Sequence, residues 1–515
     1  VSTTAPTSGT LHGVVDLDVA GATISRHLYG HFAEHLGRCI YEGFWVGEDS
    51  PIQNTSGVRD DVVQALKDIS IPNLRWPGGC FADEYHWENG VGPREDRPSM
   101  VNTHWGDVVE DNSFGTHEFM RLCELLGAEP YVSGNVGSGT VQEMSDWVEY
   151  LTRSGDAPMS RLRREHGRTE PWKVPFWGVG NEAWGCGGNM TAEQYAQLAS
   201  QFSTYARNHD GNELYRIAAG PNRDDYHWTE TLMKSISTLG GPVEERHHQR
   251  WQALSFHYYT HASDDWQHKG SATEFDAGEY HATMVNAWRI DEIVRGHSRV
   301  MDAYDPDATI GLVCDEWGTW WDVEPGTNPG FLFQQNTLRD ALVAGLHFDV
   351  FHANARRLVM ANIAQTVNVL QAMVLTDGAR MVLTPTYHVF AMNAGHQDAT
   401  SHPVHVVAGD ARYEGEAGEY RTLTTSVSSR EGSALVSVTN LDVERGGTVR
   451  LDLRGRDWTV AAATLLAAPS LQEHNTVENP TAVAPVPFDG ARREGDTLVV
   501  ELPAHSFATV QLTLG

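Results

Sequence analysis

The chain has 515 residues, 40% apolar and 20% charged, and no run approaches the roughly 18 uninterrupted apolar residues of a membrane helix, so no membrane partner is expected. Its 37 basic against 68 acidic residues give a formal charge of −31. This excludes a nucleic-acid partner, which needs clustered cations, and fits a neutral substrate and a solvated, self-repelling surface.

The length implies two or three domains, at about 150 residues each. Five cysteines, Cys39, Cys80, Cys123, Cys186 and Cys314, are too sparse and odd a set for a disulfide framework, so a reducing, cytoplasmic compartment is expected. The Ser/Thr/Pro-rich start to Thr10 shows no basic region followed by an apolar core, so no signal peptide is expected.

Residues 13–19 alternate apolar and polar and predict a strand. From about residue 24 to 390, short apolar runs alternate with segments of helical period, the order of strand-helix units and a parallel sheet. Eight strands are predicted in this stretch, at 27–30, 72–76, 130–133, 174–179, 216–219, 253–256, 309–313 and 358–361. Between them, residues 58–69 put Val58, Val62, Leu66 and Ile69 on one helical face. A second helix starts at Thr191, whose spacing to Gln194 makes a capping box, and is expected to bury Tyr195, Leu198, Phe202 and Tyr205.

After about residue 392 the pattern becomes short alternating segments, at 422–427, 434–438, 449–453 and 497–502. The expected fold is α/β plus all-β: an N-terminal strand segment over 1–23, a (β/α)8 TIM barrel over 24–391, and a C-terminal, jelly-roll-like β-sandwich over 392–515 that the N-terminal strand completes. No phosphate-binding glycine fingerprint follows the first strand, which argues against a doubly wound sheet.

The fourth predicted strand runs into Gly180-Asn181-Glu182 and the seventh into Asp315-Glu316-Trp317. Barrel active sites lie at C-terminal strand ends, so Glu182 and Glu316 can converge there. One protonated and one ionised carboxyl are the usual pair for breaking a glycosidic bond, and the ionised one raises the proton affinity of the other. Trp177, Trp184, Trp317, Trp320 and Trp321 surround them in sequence and suit sugar stacking, although any one tryptophan is as readily core.

The chain also resembles the α-L-arabinofuranosidases of glycoside hydrolase family 51 over nearly its whole length. Tyr29-Gly30-His31-Phe32-Ala33-Glu34-His35-Leu36-Gly37-Arg38 is similar to the family's first-strand signature, Arg75-Trp76-Pro77-Gly78-Gly79 to its second, and Asn362-Ile363-Ala364-Gln365 to its last. The resemblance implies Glu182 as acid/base and Glu316 as nucleophile, with Arg75 bonded to the latter. It implies sugar contacts from Glu34, Asn181 and Gln365, and a pair His257 and Tyr259 on the sixth strand, the tyrosine facing the nucleophile. Trp105 would wall the leaving-group side.

Where many members have asparagine five residues after the arginine, this chain has Cys80, either a weaker sugar-binding donor or a small buried side chain. The implied activity is retaining, exo-acting release of terminal arabinofuranosyl units from arabinoxylan or arabinan oligosaccharides. The same machinery admits β-xylosidase or endo-glucanase specificity, and a non-catalytic carbohydrate-binding protein is the rival from another class. The family commonly forms hexamers, so a homo-oligomer is expected. Although 25 histidines are present, no His-Glu-x-x-His or paired Cys-x-x-Cys occurs, and His247-His248 sits in a charged stretch. No metal or other cofactor is expected.

Overall fold

The structure is a computed structural model describing residues 9–237, 251–263 and 265–515; His247 and His248 lie outside these. After an N-terminal strand β1 (Gly9–Asp16), eight parallel strands close into a barrel in chain order. They are β2 (Gly30–Phe32), β3 (Asn73–Trp76), β4 (Glu129–Gly134), β5 (Phe176–Val179), β6 (Tyr215–Ala218), β7 (Ala253–Thr260), β8 (Gly311–Thr319) and β9 (Leu358–Ile363). The sheet closes where β9 pairs with β2.

The first predicted strand is shifted. Ser25 accepts the His27 N–H and starts a 3-10 turn, Arg26–Tyr29, so the strand begins only at Gly30. Helix α1 (Asp60–Asp68) buries Val62 and Leu66, flanked by the buried Val58 and Ile69, as the spacing predicts. Helix α2 (Ala192–Tyr205) is capped by Thr191, whose hydroxyl accepts the Gln194 N–H. It buries Tyr195 and Phe202, but Leu198 is half-buried and Tyr205 is 41% exposed at the last turn, beyond the reach of the barrel wall.

Inside the barrel, Tyr131, Phe176, Ile217, Ala253, Val313 and Met360 pack into a buried plug. This layer makes the barrel a filled core and gives the side chains above it a solid floor.

The C-terminal part folds as two sheets. One runs His405–Gly409, β1, Gly447–Arg454, Thr497–Leu502, Ala491–Glu494, with β1 parallel to Gly447–Arg454. The other runs Thr400–His402, Leu423–Arg430, Ser433–Asn440, Ser506–Leu514, Trp458–Leu466, Val486–Pro487. Their facing side chains, among them Leu11, Val15, Val436, Val449, Leu451 and Val510, form a core of their own. The N-terminal strand thus completes the sandwich.

Helix α3 (Leu338–Ala353) joins the two units. It is buried on every side from Leu338 to His352, because the barrel covers one face and the sandwich another. At this junction Asp349 accepts hydrogen bonds from Thr424 Oγ1 at 2.5 Å and Ser437 Oγ at 2.9 Å, and His352 links Tyr29 to Ser426. Among the described residues, no helix is long and apolar enough to cross a membrane.

Burial pushes the Asp349 carboxyl up to about 6, against hydroxyl donors that favour its ionised form. A carboxyl with a raised folded pKa binds its proton more tightly folded than unfolded, so its ionisation costs stability as pH rises from about 4 to about 6. Asp349→Asn, whose amide can donate to Ser437 Oγ, should remove a penalty of about 2 kcal/mol at pH 8 and little at pH 4. Thermal unfolding at the two pH values should show a Tm gain at pH 8 alone.

Candidate active site

The C-terminal strand ends bring together eight of the ten residues singled out from the sequence, and the other two, Cys80 and Trp105, come to their edge. Arg75 lies on β3, His257 and Tyr259 on β7, and Glu316 on β8. Glu34, Asn181, Glu182 and Gln365 follow the ends of β2, β5 and β9 within a few residues. His257 and Tyr259, two apart on a strand, face the same way. Asp315 and Glu316 are neighbours that should face opposite ways, yet both reach Arg75. The pairing of β8 slips on both sides, against β7 between Ser255 and His257 and against β9 between Cys314 and Trp317, and these irregularities re-aim the side chains.

Arg75 is the hub. Its Nη1 donates to Glu316 Oε1 at 2.8 Å and to the Asp315 carbonyl at 3.2 Å, and its Nη2 donates to Asn181 Oδ1 at 2.6 Å. Tyr259 OH donates to Glu316 Oε2 at 2.8 Å. Each Glu316 oxygen therefore has its own donor. On the other side of the site, His257 bridges Glu182 Oε1 at 2.7 Å and Asp315 Oδ1 at 3.1 Å, and Tyr131 OH donates to Asp315 Oδ2 at 2.6 Å. Glu34 accepts from the Phe81 N–H and Trp105 Nε1 through one oxygen and from Gln365 Nε2 through the other. Trp105 thus bonds to the Glu34 carboxylate. Gln365 Oε1 is buried with no protein partner among the described residues.

The charges sort themselves by these contacts. Burial alone would lower the pKa of Arg75, but Asp315 and then Glu316 outweigh it and raise it. Burial opposes the charge of His257 too, yet Glu316, Asp315 and Glu182 together raise it to about 10. Burial would raise Asp315, but Arg75 and His257 bring it down to about 2. Two cations thus face two anions, Asp315 and Glu316. The remaining carboxyls have no charge left to balance: burial, reinforced by Glu316, raises Glu34 to about 7 and also raises Glu182, although the His257 hydrogen bond opposes the second shift. The site holds one glutamate, Glu316, between two fixed donors and a second, Glu182, whose proton affinity burial raises, the unequal environments that a paired acid and nucleophile require.

The loops after β3 and β5 fit closely around these groups. A Cβ added at Gly79 would lie 2.9 Å from Glu316 Oε1, and one at Gly78 would lie 2.8 Å from Glu34 Cγ. Glycine is needed there for close approach, since Gly79 has an ordinary φ of −78°. Glu182 itself has φ +36°, a left-handed conformation rare for a glutamate, which turns its side chain back over the barrel mouth.

Cys80 corrects the sequence reading. It is neither a thiol donor nor a small buried side chain but is disulfide-bonded to Cys186, 106 residues away. The barrel brings the loops after β3 and β5 together with a Cα separation of 5.5 Å, which sequence spacing cannot show. Cys39, Cys123 and Cys314 are free and buried. Cys186 Sγ lies 3.6 Å from Glu182 Oε2, so the disulfide borders that carboxyl.

Sequence reasoning assigned no role to Asp315, Tyr131, Asp83 or Cys186. Asp315 sits beside Glu316 in the quoted motif, and its adjacency was the available signal. Asp83 is buried, raised to about 8 by that burial, and accepts the Gly137 N–H beneath the site. Of the tryptophans, Trp177, Trp317 and Trp321 are core, whereas Trp184 and Trp320 are half-buried, and Trp320 packs edge-on to Tyr259 at 4.9 Å. Among the described residues, two groups have ligand atoms close enough for a metal ion: Glu182, His257 and Glu316, and Cys80, Glu182 and Cys186. The first is already joined by hydrogen bonds, and in the second the sulfurs are bonded to each other.

Comparison with known proteins gives a consistent picture. Residues 65–273 match the family described as Alpha-L-arabinofuranosidase 1 domain, and residues 315–506 match Alpha-L-arabinofuranosidase C-terminal domain. The chain is 49% identical over 513 residues to an intracellular exo-alpha-L-arabinofuranosidase of Bacteroides ovatus, covering 99% of this chain and 97% of that one. It is 34% identical to alpha-L-arabinofuranosidase C of Emericella nidulans, over 86% and 87% of the two chains. Among solved structures, the GH51 arabinofuranosidase from Xanthomonas axonopodis pv. citri superposes with a TM-score of 0.93 at 48% identity, over 98% and 100%. The arabinose complex of alpha-L-arabinofuranosidase from Thermotoga maritima superposes with a TM-score of 0.82 at 30% identity, over 97% and 99%.

The glycine contacts are testable. Gly79→Ala should displace the Glu316 carboxylate and lower kcat by about 10- to 100-fold, since errors of about 1 Å in a reacting group cost that much. Far-ultraviolet circular dichroism should stay that of the parent, and a rate within twofold of the parent would contradict the close fit.

Proposed function

Because the chain belongs to the α-L-arabinofuranosidases of glycoside hydrolase family 51, we propose that it releases terminal α-L-arabinofuranosyl units from arabinoxylan- or arabinan-derived oligosaccharides by double displacement with net retention. Glu316 is the nucleophile and Glu182 the general acid/base. One observation carries this reading: an oxygen of Glu182 and an oxygen of Glu316 lie within 4.8 Å of each other. Retaining pairs stand about 5–5.5 Å apart, whereas inverting pairs need about 6.5–9.5 Å to admit a water between.

In the first step Glu316, kept ionised by Arg75 and Tyr259, attacks the anomeric carbon while Glu182 gives its proton to the departing oxygen. Once Glu316 is esterified, its charge no longer raises Glu182, which can then accept a proton from the attacking water. His257 steadies Glu182 through both steps because Asp315 holds its other nitrogen. Asn181 Nδ2, which donates to Cys186 Sγ rather than meeting Arg75, would donate to the sugar 2-hydroxyl, and Gln365 Oε1 would accept from another hydroxyl. Glu34 completes the sugar-binding set, and Trp105 borders it.

The exo and intracellular descriptions of the Bacteroides ovatus relative support exo action and a cytoplasmic location for this chain. A homo-oligomer belongs to the same proposal. The edge strand His405–Gly409 leaves Val406 and Val407 45% and 67% exposed, a surface that another copy can cover. A monomer mass in light scattering would overturn that part.

Glu316→Gln should abolish turnover and covalent labelling, whereas Glu182→Gln should slow mainly substrates with poor leaving groups, whose departure needs the proton. A panel of aryl glycosides followed by NMR reads sugar and stereochemistry together. Turnover of a β-xyloside or a β-glucan with none of an α-L-arabinofuranoside would reverse the assignment, and binding without turnover would favour a lectin-like protein.

The pH dependence follows from the raised acid. A raised pKa keeps Glu182 protonated above the ordinary carboxylate range, and the proton is lost as pH rises further. The kcat/KM of the parent should therefore fall on an alkaline limb that Glu182→Gln lacks.

A further inference from the structure

The disulfide beside Glu182 ties the loop that holds Gly79 against the nucleophile to the loop that carries the acid. We propose that its reduction turns this corner of the site into a zinc site, formed by the Cys80 and Cys186 thiolates with the Glu182 carboxylate, and that zinc held there switches the enzyme off. The switching half rests on the acid/base reading of Glu182.

Three observations converge. The two sulfurs and a Glu182 oxygen all lie within 4.8 Å of one another. Tetrahedral zinc, with Zn–S about 2.3 Å and Zn–O about 2.0–2.2 Å, sets its ligand atoms about 3.5–4 Å apart, a spacing these side chains reach by rotation. All three residues are half-buried at the barrel mouth, open to a reductant and an ion, while Cys39, Cys123 and Cys314 are buried. Cys186 is flanked by Gly185, Gly187 and Gly188, so its backbone can adjust once released from Cys80.

The chemistry closes with a dithiol reductant. A thiolate of the dithiol attacks one sulfur, the S–S bond breaks and the other cysteine leaves as a thiolate. The second thiol of the reductant then displaces the first cysteine. Two electrons pass to Cys80 and Cys186, the dithiol leaves as a cyclic disulfide, and the cysteine protons go to water as the thiolates bind zinc. Zinc on Glu182 occupies the electron pair that must carry the proton, so the acid step fails.

The test uses the full chain. It is reduced with a water-soluble phosphine, which supplies the same two electrons and leaves as its oxide with oxygen from water, and is then desalted under nitrogen and titrated with zinc chloride. Bound zinc is measured by elemental analysis after gel filtration, and turnover is measured with an aryl α-L-arabinofuranoside. The reduced enzyme should retain one zinc per chain and lose about tenfold or more of its rate, with recovery on chelation, while the oxidised enzyme should do neither. The double variant Cys80→Ser, Cys186→Ser should take up no zinc, and its own rate, whatever its level, should not respond to zinc.

Absence of zinc uptake by the reduced enzyme would overturn the site. Equal uptake by the oxidised form or the double variant would also overturn it and place the ion on Glu182, His257 and Glu316. Uptake with unchanged turnover would overturn the switch. Because uptake does not depend on what Glu182 does in catalysis, failure of the zinc site and failure of the acid/base reading give different results.

Discussion

A single buried guanidinium organises the catalytic end of the barrel. Arg75 touches the Glu316 carboxylate, the backbone carbonyl of Asp315 and the amide of Asn181, which precedes Glu182. A cation so far from water is tolerable only if anions and acceptors surround it, and removing one partner of such a set leaves the other charge stranded. The arrangement is thus fixed in both directions: the arginine holds the Glu316 carboxylate in place, and Asp315 and Glu316 keep the arginine charged. His257 repeats the device against Asp315 and Glu182, at 3.1 and 2.7 Å.

The fold supplies what this charge pattern demands. The plug led by Tyr131 fills the barrel beneath the site and sends one hydroxyl up to Asp315, so apolar packing and catalytic orientation meet in one side chain. Irregular pairing around β8 lets two consecutive carboxylates face one arginine, which a regular strand forbids. Glycines 78 and 79 then let the backbone approach both Glu34 and Glu316 more closely than any side chain permits.

Much of this was legible in the chain. Apolar runs ending in Asn-Glu and Asp-Glu placed both glutamates, because strand ends and the barrel's active face coincide. Local signals carried α1, and the alternation after residue 392 carried the sandwich. Contacts that depend on which loops meet were not legible. The Cys80–Cys186 bond spans 106 residues and two strands, and nothing near either cysteine announces the other. Asp315 was visible only as a neighbour of Glu316, since its partners Tyr131, His257 and Arg75 come from three other strands. The start of β2 was misplaced because one serine hydroxyl, a local detail, decides between turn and strand. Tyr205 was expected inside because helical period says which residues share a face, not where the covering surface stops.

The place of β1 bears on how the chain is assembled. It precedes the barrel in the chain, yet it lies inside a sheet between strands that begin at His405 and Gly447. Its hydrogen-bonding partners do not exist until the barrel has been synthesised, and loop closure over such a separation is slow. Until then β1 is an apolar strand without a sheet. The strands that follow the barrel close the sandwich around it and, by burying α3 from the far side, seal the barrel as well, so native packing of the segments on either side of the barrel is one event.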